Sequence, residues 1–346
     1  MLAGMECFTL NVAQVSRIGL GTWAIGGSEW GQVSDEDAID TCLAIFDQGI
    51  NLIDTAPIYG RGRAEEIIGH AMRRHGARDK FYIATKAGLE WNASGVFANS
   101  TPARMSQEFE DSLRRLGTDY VDLYQIHWPD TTLPIERAAE VMRALYEQGK
   151  IRAIGVSNFS PAQMDAFRRV APLHANQPPY NLFERAIDHD ILPYCRDHSI
   201  AVITYSSLCR SLLGGRLTKD TQFPEEDIRR VDPKFQPPRF AQYLEAVARL
   251  DAFARLHYGK TVLELAIRWV LDRPGVSAAL WGAKRPDQLK AVKGTQAWRL
   301  DDDAMREIDA IVLESVTDPV GPEYLTPAVR NEAKKEPALE RPARAS

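Results

Sequence analysis

The pattern of this sequence, more than any single motif in it, limits what it can fold into. Short apolar runs alternate with longer amphipathic ones, and several of the apolar runs end on a polar or ionisable side chain. NLIDTAPIYG carries Asp54 and Tyr59, YIATKAG carries Lys86, and DLYQIHWPD carries His127. Regular alternation of this kind implies parallel strands joined by helices. Eight such units follow one another with no doubly wound break. The glycine-rich stretch GLGTWAIGG is not a G-x-G-x-x-G turn opening a helix, so it argues against an open dinucleotide-binding sheet. The expected fold is therefore α/β, a closed (β/α)8 TIM barrel.

After a lead over Phe8–Val15 that reads as a hairpin, strand one lies in SRIGLGTW. The remaining strands are expected at Asn51–Asp54, Phe81–Thr85, Val121–Ile126, Arg152–Val156, Ala175–Gln177, Ala201–Thr204 and Ser277–Leu280. Helices are expected between them, with Ser34 as an N-cap and Ser160–Pro161 opening another. Pro286–Val292 should open the last helix of the cycle. The Pro-, Gly- and charge-rich segment from Leu212 to about Arg239 has no sustained period, and a loop of that length is usually functional or disordered. It follows strand seven, which puts it on the face that carries the strand tips. Helical runs at Gln242–His257, Val262–Leu271 and Asp301–Glu314 include more than the cycle needs. Residues 1–330 are expected to form one domain, and 331–346 a disordered tail.

With 346 residues there is room for a barrel of ~250 plus insertions. A net charge of −5 argues against a nucleic-acid partner. Cys7, Cys42, Cys195 and Cys209 show neither CxxC nor zinc-like spacing. No signal peptide and no apolar run near ~18 residues is evident. A cytoplasmic protein without a membrane partner is the resulting expectation.

Asp54, Tyr59, Lys86 and His127 make chemical sense together at strand tips. A phenol near its reference pKa of ~10 is a poor proton donor or acceptor at neutral pH. A neighbouring Lys⁺ should lower that pKa, an Asp should hold the Lys, and a His should orient a substrate. Taken singly, Asp54 could be a turn former, Lys86 a snorkelling surface residue and His127 a structural histidine. Together they read as an acid–base set for a carbonyl and its alcohol, which calls for a hydride donor. The later strand tips supply its cradle. Ser157, Asn158 and Gln177 offer partners for a nicotinamide carboxamide, and Tyr205 a ring to stack on it. Ser206, Ser207, Leu208, Cys209 and Arg210 are expected at the pyrophosphate, with Arg216 and Arg229 of the long loop clamping over it. Thr22, Trp23 and Asp54 complete the inner side. Gly282, Ala283, Lys284, Arg285 and Gln288 are expected at the cofactor after strand eight, where Lys284 and Arg285 at a helix N-terminus suit a phosphate and favour NADPH over NADH. Trp23, Trp91 and Trp128 are expected to wall the substrate pocket. No metal is expected: a metal-dependent hydrolase needs several His and carboxylates at strand tips, and only His127 lies at one.

The residues resemble the aldo-keto reductase superfamily from GLGTW through IGVSNFS to DPVGPE. LYQIHWPD, QPPYNLFER, SSLCR and DPKFQ are most like the bacterial general-stress type, NADPH-dependent members. The resemblance implies NAD(P)H extended along the C-terminal face of a barrel, a tetrad of Asp54, Tyr59, Lys86 and His127, and nicotinamide contacts from Ser157, Asn158, Gln177 and Tyr205. A monomer is the default it implies. One departure stands out: the family's Gln-x-x-Glu-Asn pattern keeps Gln288 but has Ala291 and Val292 next. Fewer adenine contacts follow. Because some members of the superfamily are regulatory subunits of channels, a redox-sensing binding protein with residual reductase activity is the second reading.

Overall fold

The computed structural model describes residues 4–27, 29–93 and 95–330. The expected disordered tail, 331–346, lies outside them.

A hairpin of Cys7–Leu10 and Ala13–Ser16 opens the chain, as its pattern predicted. Leu10 and Val15 from this hairpin pack against the interior side chains of the barrel. Ser16 Oγ meanwhile accepts the backbone N–H groups of Asn51 and Leu52. The hairpin thus floors the barrel at the N-terminal ends of its strands.

Eight parallel strands close the barrel, each beside its sequence neighbour. They are β1 (Ile18–Gly21), β2 (Leu52–Asp54), β3 (Tyr82–Ala87), β4 (Val121–Ile126), β5 (Ile151–Ser157), β6 (Ala175–Gln177), β7 (Ala201–Thr204) and β8 (Val276–Gly282). Side chains on a strand alternate faces, and that fixes what enters the barrel. Leu52, Tyr82, Leu123 and Ala175 join the inner cluster, while Ile53, Ile83 and Tyr124 pack outward against the helices. Counting on by twos brings Asp54, Lys86, Gln125 and Gln177 to the inner side at the C-terminal end, all buried.

Helices α1 (Asp35–Ala44), α2 (Arg63–His75), α3 (Pro102–Leu116), α4 (Ile135–Glu147), α5 (Pro161–Arg168) and α6 (Ile191–Asp197) surround the barrel. Ser34 caps α1 by accepting the Asp37 N–H at 3.1 Å. Ser160 and Gln163 form a capping box on α5. Beyond β7 come α7 (Arg239–Tyr258), α8 (Val262–Asp272) and, after β8, α9 (Asp302–Ser315). The expected last helix of the cycle is a 3-10 helix, Pro286–Thr295, rather than an α-helix. Gly294 lies against Glu264 so closely that a Cβ there would meet its carboxylate at 1.7 Å.

Two additions frame the C-terminal face. A hairpin of Leu89–Asn92 and Gly95–Ala98, which the pattern did not predict, follows β3. Residues 317–330 run as a strap from α7 to this hairpin. Thr317 N–H donates to Gln242 and Val320 N–H to Tyr243 Oη. At the far end Ala328 N–H donates to Val96 O at 3.2 Å. No helix among the described residues is long and apolar enough to cross a membrane.

Candidate active site

At the top of the barrel interior, the alternation of β2, β3, β4 and β6 brings four polar side chains into one buried cluster. Lys86 Nζ donates to Asp54 Oδ1 at 2.6 Å, to Thr55 O at 3.0 Å and to Tyr59 Oη at 3.3 Å. Gln177 Nε2 donates to Asp54 Oδ2 at 2.7 Å, and Gln125 Nε2 reaches the same oxygen at 3.3 Å. Both carboxylate oxygens of Asp54 thus accept side-chain hydrogen bonds. Gln125 escaped the sequence reading, although it lies two residues before His127 and the period of two placed it inside.

Tyr59 comes from the β2–α2 loop and is fixed by a close backbone approach. Gly26 and Gly60 touch where neither tolerates a side chain: a Cβ on Gly26 would lie 2.6 Å from the Gly60 nitrogen, and one on Gly60 2.3 Å from Gly26 O. Gly60 also has φ +62°, which favours glycine. Around the phenol stand the Trp23 ring, 6.2 Å away and stacked, and the His127 ring, 5.8 Å away and edge-on. Burial, then the charge on Asp54, pushes the Tyr59 phenol well above the usual phenol range. This reverses the expected lowering by Lys86. That ammonium sits closer to Asp54 than to the phenol, so its field is largely neutralised, and burial itself pulls Lys86 down. Burial, then the Lys86 charge, holds His127 neutral, well below the ordinary histidine range.

A cavity of about 280 Å³ opens over Tyr59 and His127. Trp23 and Trp128, expected as pocket walls, line it together with Ser157, Asn158, Gln177 and Tyr205, which were expected at the cofactor. Those four are bonded into a web. Ser157 Oγ donates to Gln177 O at 2.6 Å, Asn158 Nδ2 to His127 O at 3.0 Å, and Tyr205 Oη to Asn158 Oδ1 at 3.0 Å. Glu29, Ile58, Leu89, Val96, Ile228 and the strap segment Tyr324–Ala328 also line the cavity and were not foreseen. Trp91 does not line it. The hairpin after β3 carries Trp91 toward its tip, with the Arg104 guanidinium 5.8 Å from its ring, and presents Leu89 and Val96 instead.

A second cleft of about 320 Å³ shares Trp23, Tyr59 and Tyr205 with the first. Thr22, Asp54, Ser206, Ser207, Leu208, Arg210, Arg229, Gly282, Ala283, Lys284, Arg285 and Gln288, all expected at the cofactor, line this cleft. Ser206, Cys209, Arg210 and Ser211 all have positive φ, between 45° and 70°. Such a tight series of turns directs backbone N–H groups into a concavity suited to an anion. Lys284 is pulled down first by burial and then by Arg229, which places the two cations at one end of the cleft. Arg229 is also paired with Asp227 at 2.6 Å. The Ile228 N–H donates to Glu29 O at 3.1 Å and Lys284 Nζ to Trp30 O, so the long loop crosses the cleft to the β1 side.

Two residues expected in this cleft are elsewhere. Arg216 is exposed and lines neither cavity, because the loop turns back at Gly215 and returns only at residues 228 and 229. The Cys209 side chain is buried in the core. Arg210 is in place, but its Nη1 is committed to Glu184 at 2.8 Å, while its Nη2 is buried with no hydrogen-bond partner among the described residues. That unsatisfied donor, the turn series and the cations Arg229, Lys284 and Arg285 fit a pyrophosphate and a further phosphate. Gln288 spends its Oε1 on the Lys284 N–H at 2.7 Å, and Val292, where the family pattern has a polar residue, is buried.

A buried carboxylate–ammonium pair bonded to a phenol at the mouth of a barrel, beside a cleft lined by Arg210, Arg229, Lys284 and Arg285, is suited to acid–base chemistry on a carbonyl or alcohol next to a bound anion. Residues 17–313 match the family model described as the aldo/keto reductase family. The chain is 53% identical over 319 residues to the aldo-keto reductase YhdN of Bacillus subtilis (strain 168), covering 92% of this chain and 96% of that one. Its fold superposes on the glycerol dehydrogenase AKR11B4 from Gluconobacter oxydans with TM-score 0.84, at 48% identity and with 92% and 98% of the two chains covered. It also superposes on an aldo-keto reductase from Klebsiella pneumoniae in complex with NADPH, with TM-score 0.68, 30% identity and coverage of 89% and 95%. The chain belongs to the aldo/keto reductase family, and it is an NAD(P)H-dependent oxidoreductase that interconverts carbonyl compounds and alcohols.

Proposed function

We propose that this protein reduces an aldehyde or ketone in the cavity over Tyr59, with Tyr59 as the proton donor. The observation that carries this reading is the position of Lys86 Nζ, bonded at once to Asp54 at 2.6 Å and to the Tyr59 oxygen at 3.3 Å. NADPH, when bound, supplies the hydride from its nicotinamide. Everything else falls to side chains of this chain. Tyr59 Oη gives its proton to the oxygen of the carbonyl as charge develops there. Lys86, held by Asp54, stabilises the phenolate that remains. His127, neutral, is a hydrogen-bonding group that aims the carbonyl oxygen at Tyr59. Trp23, Trp128 and the strap shield the reacting atoms from water.

The cleft with Arg210, Arg229, Lys284 and Arg285 holds the dinucleotide, and Ser157, Asn158, Gln177 and Tyr205 lie at its nicotinamide end. Gln177 contributes its oxygen rather than its nitrogen, because Nε2 is spent on Asp54. The four free cysteines fit a reducing, cytoplasmic location, and a monomer acting on a small molecule is what the family implies.

Titrating NADPH and NADH in parallel, with Trp23 and Trp30 as fluorescence reporters, tests this assignment. Tight NADPH binding is expected. Lys284→Ala should weaken NADPH by roughly ten- to hundredfold, the cost of one charge-assisted bond, and leave NADH nearly unmoved. Equal loss for both cofactors would remove Lys284 from the 2′-phosphate. Absence of binding for either would overturn the reading in favour of a barrel with another task. The redox-sensing alternative gains no specific support from the site.

A further inference from the structure

One wall residue of the substrate cavity has no part in the chemistry above. Glu29 stands beside Trp23, whose Nε1 donates to Glu29 Oε2 at 2.5 Å, and its backbone carbonyl accepts the Ile228 N–H at 3.1 Å. It is thereby fixed from the side chain and from the main chain. Among the described residues Glu29 takes part in no ion pair, and neither Lys nor Arg lines the cavity. Its remaining carboxylate oxygen has no assigned partner. The rest of the lining is apolar or neutral, including Ile58, Leu89, Trp128, Leu325 and Pro327. Deeper in, Lys86 and Asp54 cancel each other, and His127 carries no charge. The formal charge facing a substrate is therefore that of Glu29. The same charge reaches the reacting centre, since it is among the groups that push the Tyr59 phenol upward, after burial, Asp54 and Tyr205.

A single half-buried carboxylate on an otherwise apolar or neutral wall directs its field into the cavity. Resting on the reductase reading above, we propose that Glu29 sets substrate charge: the cavity accepts carbonyl compounds whose far end is cationic or donates hydrogen bonds, and rejects those bearing a carboxylate or phosphate. An anionic end would meet Glu29 with no cation to offset it. An ammonium or hydroxyl would satisfy the unpartnered oxygen. If Glu29 served only to hold Trp23, a glutamine, which can accept the same indole N–H, would leave the preference among charged substrates unchanged.

Three aldehydes of matched length separate these cases: 4-oxobutanoate, its methyl ester and 4-(trimethylammonio)butanal. With NADPH saturating, kcat/KM should favour the cation over the anion by at least roughly tenfold to a hundredfold, and by more at low ionic strength. Glu29→Gln should shrink that ratio by about tenfold, and Glu29→Lys should invert it. Folding of both variants is checked by thermal melting, and the ratio itself is insensitive to a uniform loss of activity. Equal ratios in the parent and both variants, or a preference of the parent for the anion, would overturn the assignment of Glu29. Failure of the parent to turn over even the methyl ester would overturn the reductase reading, a different result from turnover without charge discrimination.

Discussion

Tyr59→Phe is expected to lower kcat by roughly 10²–10⁴-fold while leaving the dissociation constant for NADPH nearly unchanged. The substitution deletes one oxygen. It keeps the ring stacked 6.2 Å from Trp23 and edge-on to His127, so the cavity keeps its shape. What disappears is the proton that must reach the carbonyl oxygen, together with the acceptor for Lys86 Nζ. Lys86 still has Asp54 and Thr55 O, so no buried ammonium is stranded and the fold should be preserved. A variant with full kcat on a good aldehyde would remove Tyr59 from the reaction. Electrostatics add a direction-dependent signature. A phenol held well above its usual range stays protonated through neutral pH, so reduction keeps its acid and its rate should be flat there. Oxidation of an alcohol needs the deprotonated form. Its rate should climb about tenfold per pH unit through the alkaline range, as the small phenolate fraction grows. His127, held neutral, adds no further step above its lowered pKa. Stopped-flow rates in both directions between pH 6 and 10 would check this; a neutral-pH break in reduction would show that the phenol titrates lower than its burial implies.

What the sequence could and could not reveal divides along distance in the chain. The barrel was readable because each unit is local: an apolar run, a turn, an amphipathic helix. Asp54 and Lys86 were readable because the period of two decides which side chains point inward, and by that logic Gln125 was available too. Tyr59 needed one further local fact, the glycine beside it. Contacts between segments far apart in sequence carry no such signature. Nothing in GPEYLTPAVR announces that Tyr324–Ala328 covers the cavity; the strap is defined by bonds to α7 and to an unpredicted hairpin. The aromatic that walls the pocket was likewise a matter of hairpin geometry, which moved Trp91 out and Leu89 in. Arg216 and Arg229 looked equivalent on a structureless loop, and only the path of the loop separates them. The Tyr59 phenol is pushed up rather than down because the buried Lys86–Asp54 pair is nearly neutral and desolvation then decides.

Lys234→Met is expected to destabilise the protein by about 3–5 kcal/mol, the usual consequence of removing one partner from a buried ion cluster. The cluster ties together the SSLCR turn, the loop after β6, the long loop and the strap. Lys234 Nζ, fully buried, lies 2.8 Å from Glu184 and 3.4 Å from Asp232, and donates to Gly321 O at 3.1 Å. Arg210 is paired with Glu184, and Tyr324 Oη donates to Asp232 at 2.9 Å. The two cations balance Glu184 and Asp232, so methionine fits the space but leaves one carboxylate uncompensated out of water. Burial pushes Glu184 up, yet Arg210 and Lys234 more than reverse this and hold it below its ordinary range. A depressed carboxylate contributes stability that is present above its unfolded pKa and is lost as pH falls through the folded one. The parent should therefore lose this contribution in acid, and the variant should show less of that loss because one of the two cations is already gone. The effect on catalysis should appear first in KM, since the strap that Lys234 and Asp232 hold is a wall of the substrate cavity and does not touch Asp54 or Lys86. Urea denaturation of parent and variant measures the free energy, and Glu184→Gln added to Lys234→Met should recover part of the loss by removing the stranded charge. A loss under about 1 kcal/mol, or no recovery in the double variant, would mean that water reaches the cluster and that the strap is held by its backbone bonds alone.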